Sequence, residues 1–138
     1  MDNILVAHDG SASAKKALLE AISLAEKTGA KITVISVVPV ICFAEAGIDC
    51  ETVMNIYRAE ASGILEAVRA ILKERGLEAQ TIILEGNPAD VIVDFARDNN
   101  ISLIVVGSTG KDATQRTLLG SVSSKIAVNA PCSVLIVR

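Results

Sequence analysis

The chain has 138 residues, 51% of them hydrophobic and 21% charged, which suits one folded domain spanning 1–138 and is too apolar for disorder. Thirteen Lys and Arg stand against sixteen Asp and Glu, a net charge of −3, and aromatic residues are one Tyr, two Phe and no Trp. A nucleic-acid binder needs a basic face or stacking platforms, so that class is argued against. No apolar run reaches the ~18 residues of a membrane span. The closest, Ile35–Ile48, is broken by Pro39 and Glu45.

The start, Met1-Asp2-Asn3, lacks the basic segment of a signal peptide, so a cytoplasmic location is expected. Cys42, Cys50 and Cys132 are an odd number with no CxxC spacing. Reduced thiols are expected, with Cys132 buried beside the last strand. A single His excludes a His-rich metal site.

Asn3–His8 is a short apolar run that predicts a buried strand. Ser11-Ala12-Ser13 offers capping hydroxyls for a helix with Ala14, Ala17, Leu18, Ala21, Ile22 and Ala25 on one face, stopped by Gly29. Lys31–Val38 is a β-branched strand closed by Pro39. Val40–Thr52 reads as an irregular loop. Val53, Ile56, Tyr57, Ile64, Leu65, Val68, Ile71 and Leu72 then form the stripe of a long helix ending at Gly76, with Gly63 inside it at a cost of about 1 kcal/mol.

Ala79–Leu84 is a third strand. Asn87-Pro88 predicts an N-cap with Pro at the first helical position, and Val91, Ile92, Phe95 and Ala96 give that helix its buried face up to Asn99-Asn100. Ser102–Val106 is a fourth strand, Gly107–Leu119 a loop, Ser121–Asn129 a short helix barred by Pro131, and Ser133–Val137 a fifth strand. Regular alternation of strand and helix predicts an α/β fold. It is a Rossmann-like open sheet of five parallel strands, ordered 3-2-1-4-5, with helices on both faces. Such sheets bind ligands beyond the carboxyl ends of the strands, where strand order reverses.

Two turns lie there. After the first strand comes His8-Asp9-Gly10-Ser11, in which Asp9 suits either a turn carboxylate or a polar hook for a ligand. His8 reads as a packed or rim residue. The loop after the fourth strand carries Gly107, Gly110 and Gly120 and ends at a helix start. Gly107 allows close backbone approach. Gly120 frees the amides ahead of the helix, and the Ser121 and Ser123 hydroxyls converge with them on a point where the helix dipole adds roughly half a positive charge. That is an anion site suited to phosphate, with Lys111 and Arg116 as counter-charges. The same residues also suit a solvated loop before a capped helix. GxGxxG and GxxxxGK[ST] are absent, as are the acidic cluster of a receiver domain and any Ser–His–Asp arrangement, so no catalytic residue is assigned.

These residues resemble the universal stress protein family. ILVAHDGSASAKKAL is similar to its opening strand, turn and helix, and EGNPADVIVDFA to its Gly-x-Pro start of the third helix. VVGSTGKDATQRTLLGSVSSKIAVNAPCSVLIVR matches Gly-x2-Gly-x9-Gly-Ser/Thr at Gly107, Gly110, Gly120 and Ser121. The complete pattern implies the branch that binds ATP, or AMP or ADP, with or without Mg²⁺. The resemblance implies that Asp9 and the Val37 backbone hold the adenine and ribose end, with Ala7 lining the pocket and Gly107 under the ribose. Gly110, Gly120, Ser121, Val122 and Ser123 would surround the phosphates. Thr109 stands where the family often has Arg or His, and Lys111 is the substitute charge. A regulatory binding module is the first reading and a slow ATPase or adenylate-binding enzyme the alternative. Strand 133–137 is apolar and unblunted by Lys or Pro, and both it and the resemblance predict a homodimer through that edge.

Overall fold

In a computed structural model, residues 2–40, 47, 49–109 and 119–138 are described. Gly110, Lys111, Arg116 and Cys42 lie outside the described residues. Nine elements follow in chain order: β1 (Asn3–Ala7), α1 (Ala12–Thr28), β2 (Lys31–Val38), α2 (Cys50–Glu74), β3 (Ala79–Glu85), α3 (Pro88–Asp98), β4 (Leu103–Gly107), α4 (Ser121–Asn129) and β5 (Ser133–Val137). The strands form one parallel sheet in the order β3-β2-β1-β4-β5, as expected.

The helix ends follow local chemistry. Ser11 caps α1 by accepting from Ala14 N–H at 3.1 Å, and Gly29 closes it in the left-handed conformation at φ 76°. Asn87 caps α3 through Asp90 N–H, with Pro88 next to it. Helix α2 begins three residues before the expected Val53, because Asp49 accepts from Glu51 N–H at 3.1 Å and so captures the first turn. Its buried face is Met54, Ala61, Leu65, Val68 and Leu72, whereas Ile56 is 63% exposed. Ile56 is two residues from Met54, about 200° around the helix, so it cannot share that face.

Side-chain alternation along the strands feeds two cores. Ile4, Val6, Ile32, Val34, Leu103 and Val105 pack under α1 and α2. Leu5, Ile35, Ile104 and Val106 pack under α3 and α4. β1 and β4 are buried on both faces, as their unbroken apolar runs imply. β5 is equally apolar yet only half-buried, because it is the edge and no strand among the described residues pairs with its far side. Among the described residues no helix is long and apolar enough to cross a membrane.

The thiol expectation needs one correction. Cys132 is free and half-buried, and burial pushes its thiol up, but Cys50 at the first residue of α2 is disulfide-bonded. Whether two sulfurs meet depends on the path of the chain between them, which spacing alone does not carry.

The chain leaves β1 toward the face of α1 and leaves β4 toward the face of α4. Their carboxyl ends therefore part, and a crevice opens between them. Gly107 closes its floor: a Cβ there would lie 2.7 Å from the Ser13 carbonyl carbon and 2.8 Å from Ala14 N. Only glycine lets the first turn of α1 rest on the end of β4. Gly63 is the opposite case, since a Cβ there meets nothing within 4 Å. Gly107→Ala should therefore lower unfolding stability by about 1–3 kcal/mol, and Gly63→Ala should raise it by about 1 kcal/mol. Paired urea denaturation curves check this, and a shift of the same sign for both variants would contradict it.

Candidate functional site

The crevice holds a cavity of about 180 Å³. Its lining includes Ala7, Asp9, Val37, Gly107, Thr109, Gly120, Ser121, Val122 and Ser123, which are all nine of the sequence-derived site residues within the described part of the chain. Sequence reasoning missed His8, Ser11, Ala14, Ile35, Pro88 and Ile92, which also line it. Ser11 and Pro88 were legible only as helix-start residues. Ile35 lies two positions before Val37 on the same side of β2, and Ile92 lies one turn beyond Pro88.

Val37 has a backbone reason to be there. Ile35 O accepts from His8 N–H at 2.9 Å, so Ile35 faces β1, while Val38 O accepts from Gly86 N–H and faces β3. Backbone polar groups of a strand in parallel pairing alternate sides, so Val37 points the way Ile35 does. The paired register of β1 ends at Ala7 opposite Ile35. The Val37 N–H and C=O thus face the crevice past the end of the neighbouring strand.

Asp9 is exposed, and its Oδ1 accepts from Ser11 N–H at 2.9 Å. The turn role is therefore real, and it leaves Oδ2 without a partner among the described residues. Gly10, at φ 86°, makes that turn possible. Its N–H donates to His8 Nδ1 at 3.0 Å. Burial pulls the His8 imidazole below its ordinary pKa, with Asp9 opposing and Lys15 adding to the shift. His8 is packed, as expected.

On the other wall, Ser108 O gathers two donors: Gly120 N–H at 2.6 Å and Ser123 Oγ at 2.9 Å. Ser123 Oγ also reaches Gly120 O at 3.1 Å. Two expectations change here. The Gly120 amide is engaged, so the amides open to a ligand start at Ser121. Ser123 is 3% exposed with its one proton directed inward, so its hydroxyl does not converge with that of Ser121. Ser121 is exposed and its hydroxyl has no partner among the described residues. Helix α4 starts at Gly120 without a side-chain cap, so the first-turn amides meet no capping oxygen. Thr109 takes part through its carbonyl, which accepts from Ser13 Oγ at 2.5 Å and ties the loop after β4 to α1. Gly107 faces α1 with its missing Cβ, so its glycine identity answers to packing, while it still borders the cavity.

The flanks are held by polar contacts. Lys125 on α4 pairs with Asp90 on α3 at 3.0 Å. Arg58 on α2 bonds Glu85 at the end of β3 and reaches Glu51 at 2.7 Å; its guanidinium holds the Glu85 carboxyl below the usual range. These groups are largely exposed, so they position more than they stabilise.

A parallel sheet in 3-2-1-4-5 order, with a cavity where β1 and β4 diverge and an uncapped helix start upon it, defines a Rossmann-like α/β protein with a strand-end site. The universal stress protein family profile matches residues 1–138. A universal stress protein of Methanocaldococcus jannaschii is 36% identical over 137 residues, covering 98% of this chain and 81% of that protein. The chain belongs to the universal stress protein family. Among solved structures, universal stress protein UspA from Lactobacillus plantarum superposes with a TM-score of 0.88 at 31% identity, covering 99% of this chain and 97% of that one. A universal stress protein in complex with cAMP superposes with a TM-score of 0.76 at 25% identity, covering 99% and 97%.

The different roles of the two serines can be measured. Ser123→Ala should cost about 1–2 kcal/mol of stability, because it strips a buried carbonyl of one donor. Ser121→Ala, on an exposed side chain, should stay within about 0.5 kcal/mol of the parent. Equal thermal unfolding of the two variants would contradict the assignment.

Proposed function

We propose that this protein is an adenine-nucleotide-binding regulatory protein that takes ATP or AMP in the crevice. The observation that carries the reading is the start of α4. Its first-turn amides lack a side-chain cap and open on the cavity beside the Ser121 hydroxyl, with the positive end of the helix dipole behind them. Phosphate satisfies donors of that kind. At the other end, the Val37 N–H and C=O are one donor and one acceptor facing the crevice. Adenine offers a ring-nitrogen acceptor beside an amine donor, which matches that pair; guanine offers the reverse. Ala7, Ile35, Pro88 and Ile92 supply apolar walls for the base. The free oxygen of Asp9 suits a ribose hydroxyl or the adenine amine, away from the phosphates it would repel.

The described cavity, about 180 Å³, is smaller than the ~300 Å³ and upward of a typical ligand pocket. In this reading the nucleoside enters the cavity, with the phosphates at the mouth against α4. Among the described residues no group of three metal-ligating side chains gathers. Mg²⁺ accompanying ATP would therefore be held mainly by phosphate oxygens and water. Asp9 is the one carboxylate among the described lining residues, and one of its oxygens is engaged with Ser11 N–H. This favours binding over turnover. A relative of the same family in complex with cAMP supports an adenine nucleotide in this fold.

Calorimetry should show ATP·Mg²⁺ binding more tightly than GTP·Mg²⁺ by about 1–3 kcal/mol, the scale of a mismatched buried pair. Gly120→Val should abolish the heat of binding while folding normally, since φ −72° and ψ 166° suit any residue. No binding of any adenine nucleotide to the parent, or normal ATP binding by the well-folded variant, would sink the reading.

We also propose a homodimer through β5. The strand is the sheet edge, half-buried, apolar and free of Lys and Pro. A second copy of the same edge about a two-fold axis would satisfy its open backbone groups. Light scattering should give twice the 14.4 kDa chain mass for the parent and a monomer for Leu135→Lys. A monomeric parent across micromolar concentrations would refute it.

A further inference from the structure

We propose that His8 is a positioning residue for this site: its neutral ring holds the Asp9 turn in place, and its protonation releases that turn and weakens ligand binding in acid. The inference rests on the nucleotide reading above for its ligand, and on the turn itself for its geometry.

His8 is the only histidine in the chain and is 5% exposed. Its main chain is fixed, because His8 N–H donates to Ile35 O at 2.9 Å. Its ring accepts from Gly10 N–H through Nδ1 at 3.0 Å, so the proton of the neutral ring sits on Nε2. Gly10 is at φ 86°, which glycine adopts freely, so the turn is selected by its hydrogen bonds and not by its backbone alone. The neighbouring bond, Ser11 N–H to Asp9 Oδ1 at 2.9 Å, completes the turn. Two side chains therefore hold three residues, and one of the two is an imidazole whose protonation removes the acceptor.

Protonation places a hydrogen on Nδ1, directly opposite the Gly10 N–H. Two donors then face each other and the bond cannot persist. The turn that presents Asp9 to the cavity must open or rotate. Among the described residues, the charges acting on His8 are Asp9, next to it in the chain, and Lys15 on α1. β2, which holds the His8 N–H through Ile35, is uncharged from Ile32 to Val38; its one titratable group, Lys31, stands at the other end of the strand opposite Asn3. Among the described residues, no charge from α2, α3, α4 or β4 stands with Asp9 and Lys15 as an influence on it. Burial is the largest influence and favours the neutral ring. The sign follows: a pKa lowered on folding adds stability that is present above the ordinary histidine value and is lost as pH falls through the folded value.

The test uses two substitutions that divide the ring between them. His8→Asn places an amide oxygen where Nδ1 accepts and does not titrate. His8→Gln reaches toward the Nε2 position and leaves Gly10 N–H without its acceptor. Adenosine, whose lack of phosphate removes the ligand's own titration in this range, serves as probe beside ATP·Mg²⁺. Parent affinity for both should fall about 3–10-fold between pH 8 and pH 5, the worth of one hydrogen bond. His8→Asn should keep its pH 8 affinity through that range, relative to the parent. His8→Gln should already be weak at pH 8. Parallel decline of the parent and His8→Asn, or an unchanged parent, would overturn the proposal.

A ligand-free measurement separates this from failure of the nucleotide reading. In ¹⁵N spectra the lone histidine should show Nε2–H with a bare Nδ1, and the Gly10 amide should shift with the same midpoint as the ring. Those signals with no nucleotide binding at any pH would refute the nucleotide reading and, with it, the weakening of binding, while leaving the turn assignment standing. An Nδ1–H tautomer, or a Gly10 amide that ignores the ring, would overturn the turn assignment itself.

Discussion

Helix α1 rests on the end of β4 at a distance that admits no side chain. A Cβ on Gly107 would fall within 2.8 Å of the Ala14 nitrogen and nearer still to Ser13. That approach brings the turn after β1 and the loop after β4, which are about a hundred residues apart in sequence, to opposite sides of one small space. Ser13, buried between them, completes the contact by donating to Thr109 O at 2.5 Å. The cavity exists because these two strand ends diverge, and it is narrow because α1 sits this close.

The second wall is set by Ser108. Its N–H donates to Val137 O at 2.7 Å, and its carbonyl receives Gly120 N–H and the Ser123 hydroxyl. One residue thereby joins the end of β4, the end of β5 and the start of α4. These bonds place α4 by its anchor at Ser108. The inward turn of the Ser123 hydroxyl and the engagement of the Gly120 amide are both consequences. Donors recruited to fix the wall are withdrawn from the cavity, and what faces outward is the uncapped first turn with Ser121.

Polarity in the crevice is accordingly divided. Donors cluster at the start of α4, while the carboxylate of Asp9 lines the cavity from the turn after β1. The proposed nucleotide, an anion with a hydrogen-bonding heterocycle at its other end, would suit that division. His8 lies under the acidic side, buried and bonded to the turn, where a single proton changes an acceptor into a donor.

The strand order, the helix caps at Ser11 and Asn87, and both halves of the cavity wall were legible in the sequence. The strands and caps rest on short-range rules: apolar runs make buried strands, hydroxyl and amide side chains cap helices, and glycine marks strand ends; the strand order came with the fold class that regular strand–helix alternation implies. The resemblance to a family added the roles proposed for Asp9, Val37 and Ala7. Tertiary structure alone decided where each donor points. Sequence showed two serines two residues apart at a helix start; folding turned one inward to Ser108 and left the other exposed. It showed Gly107 as room for a ligand; packing gave that room to α1. Ile56 left its stripe and Cys50 joined a disulfide for the same reason. A residue's neighbours along the chain limit its backbone, but its hydrogen-bond partners and the space beside it are set by segments many residues away.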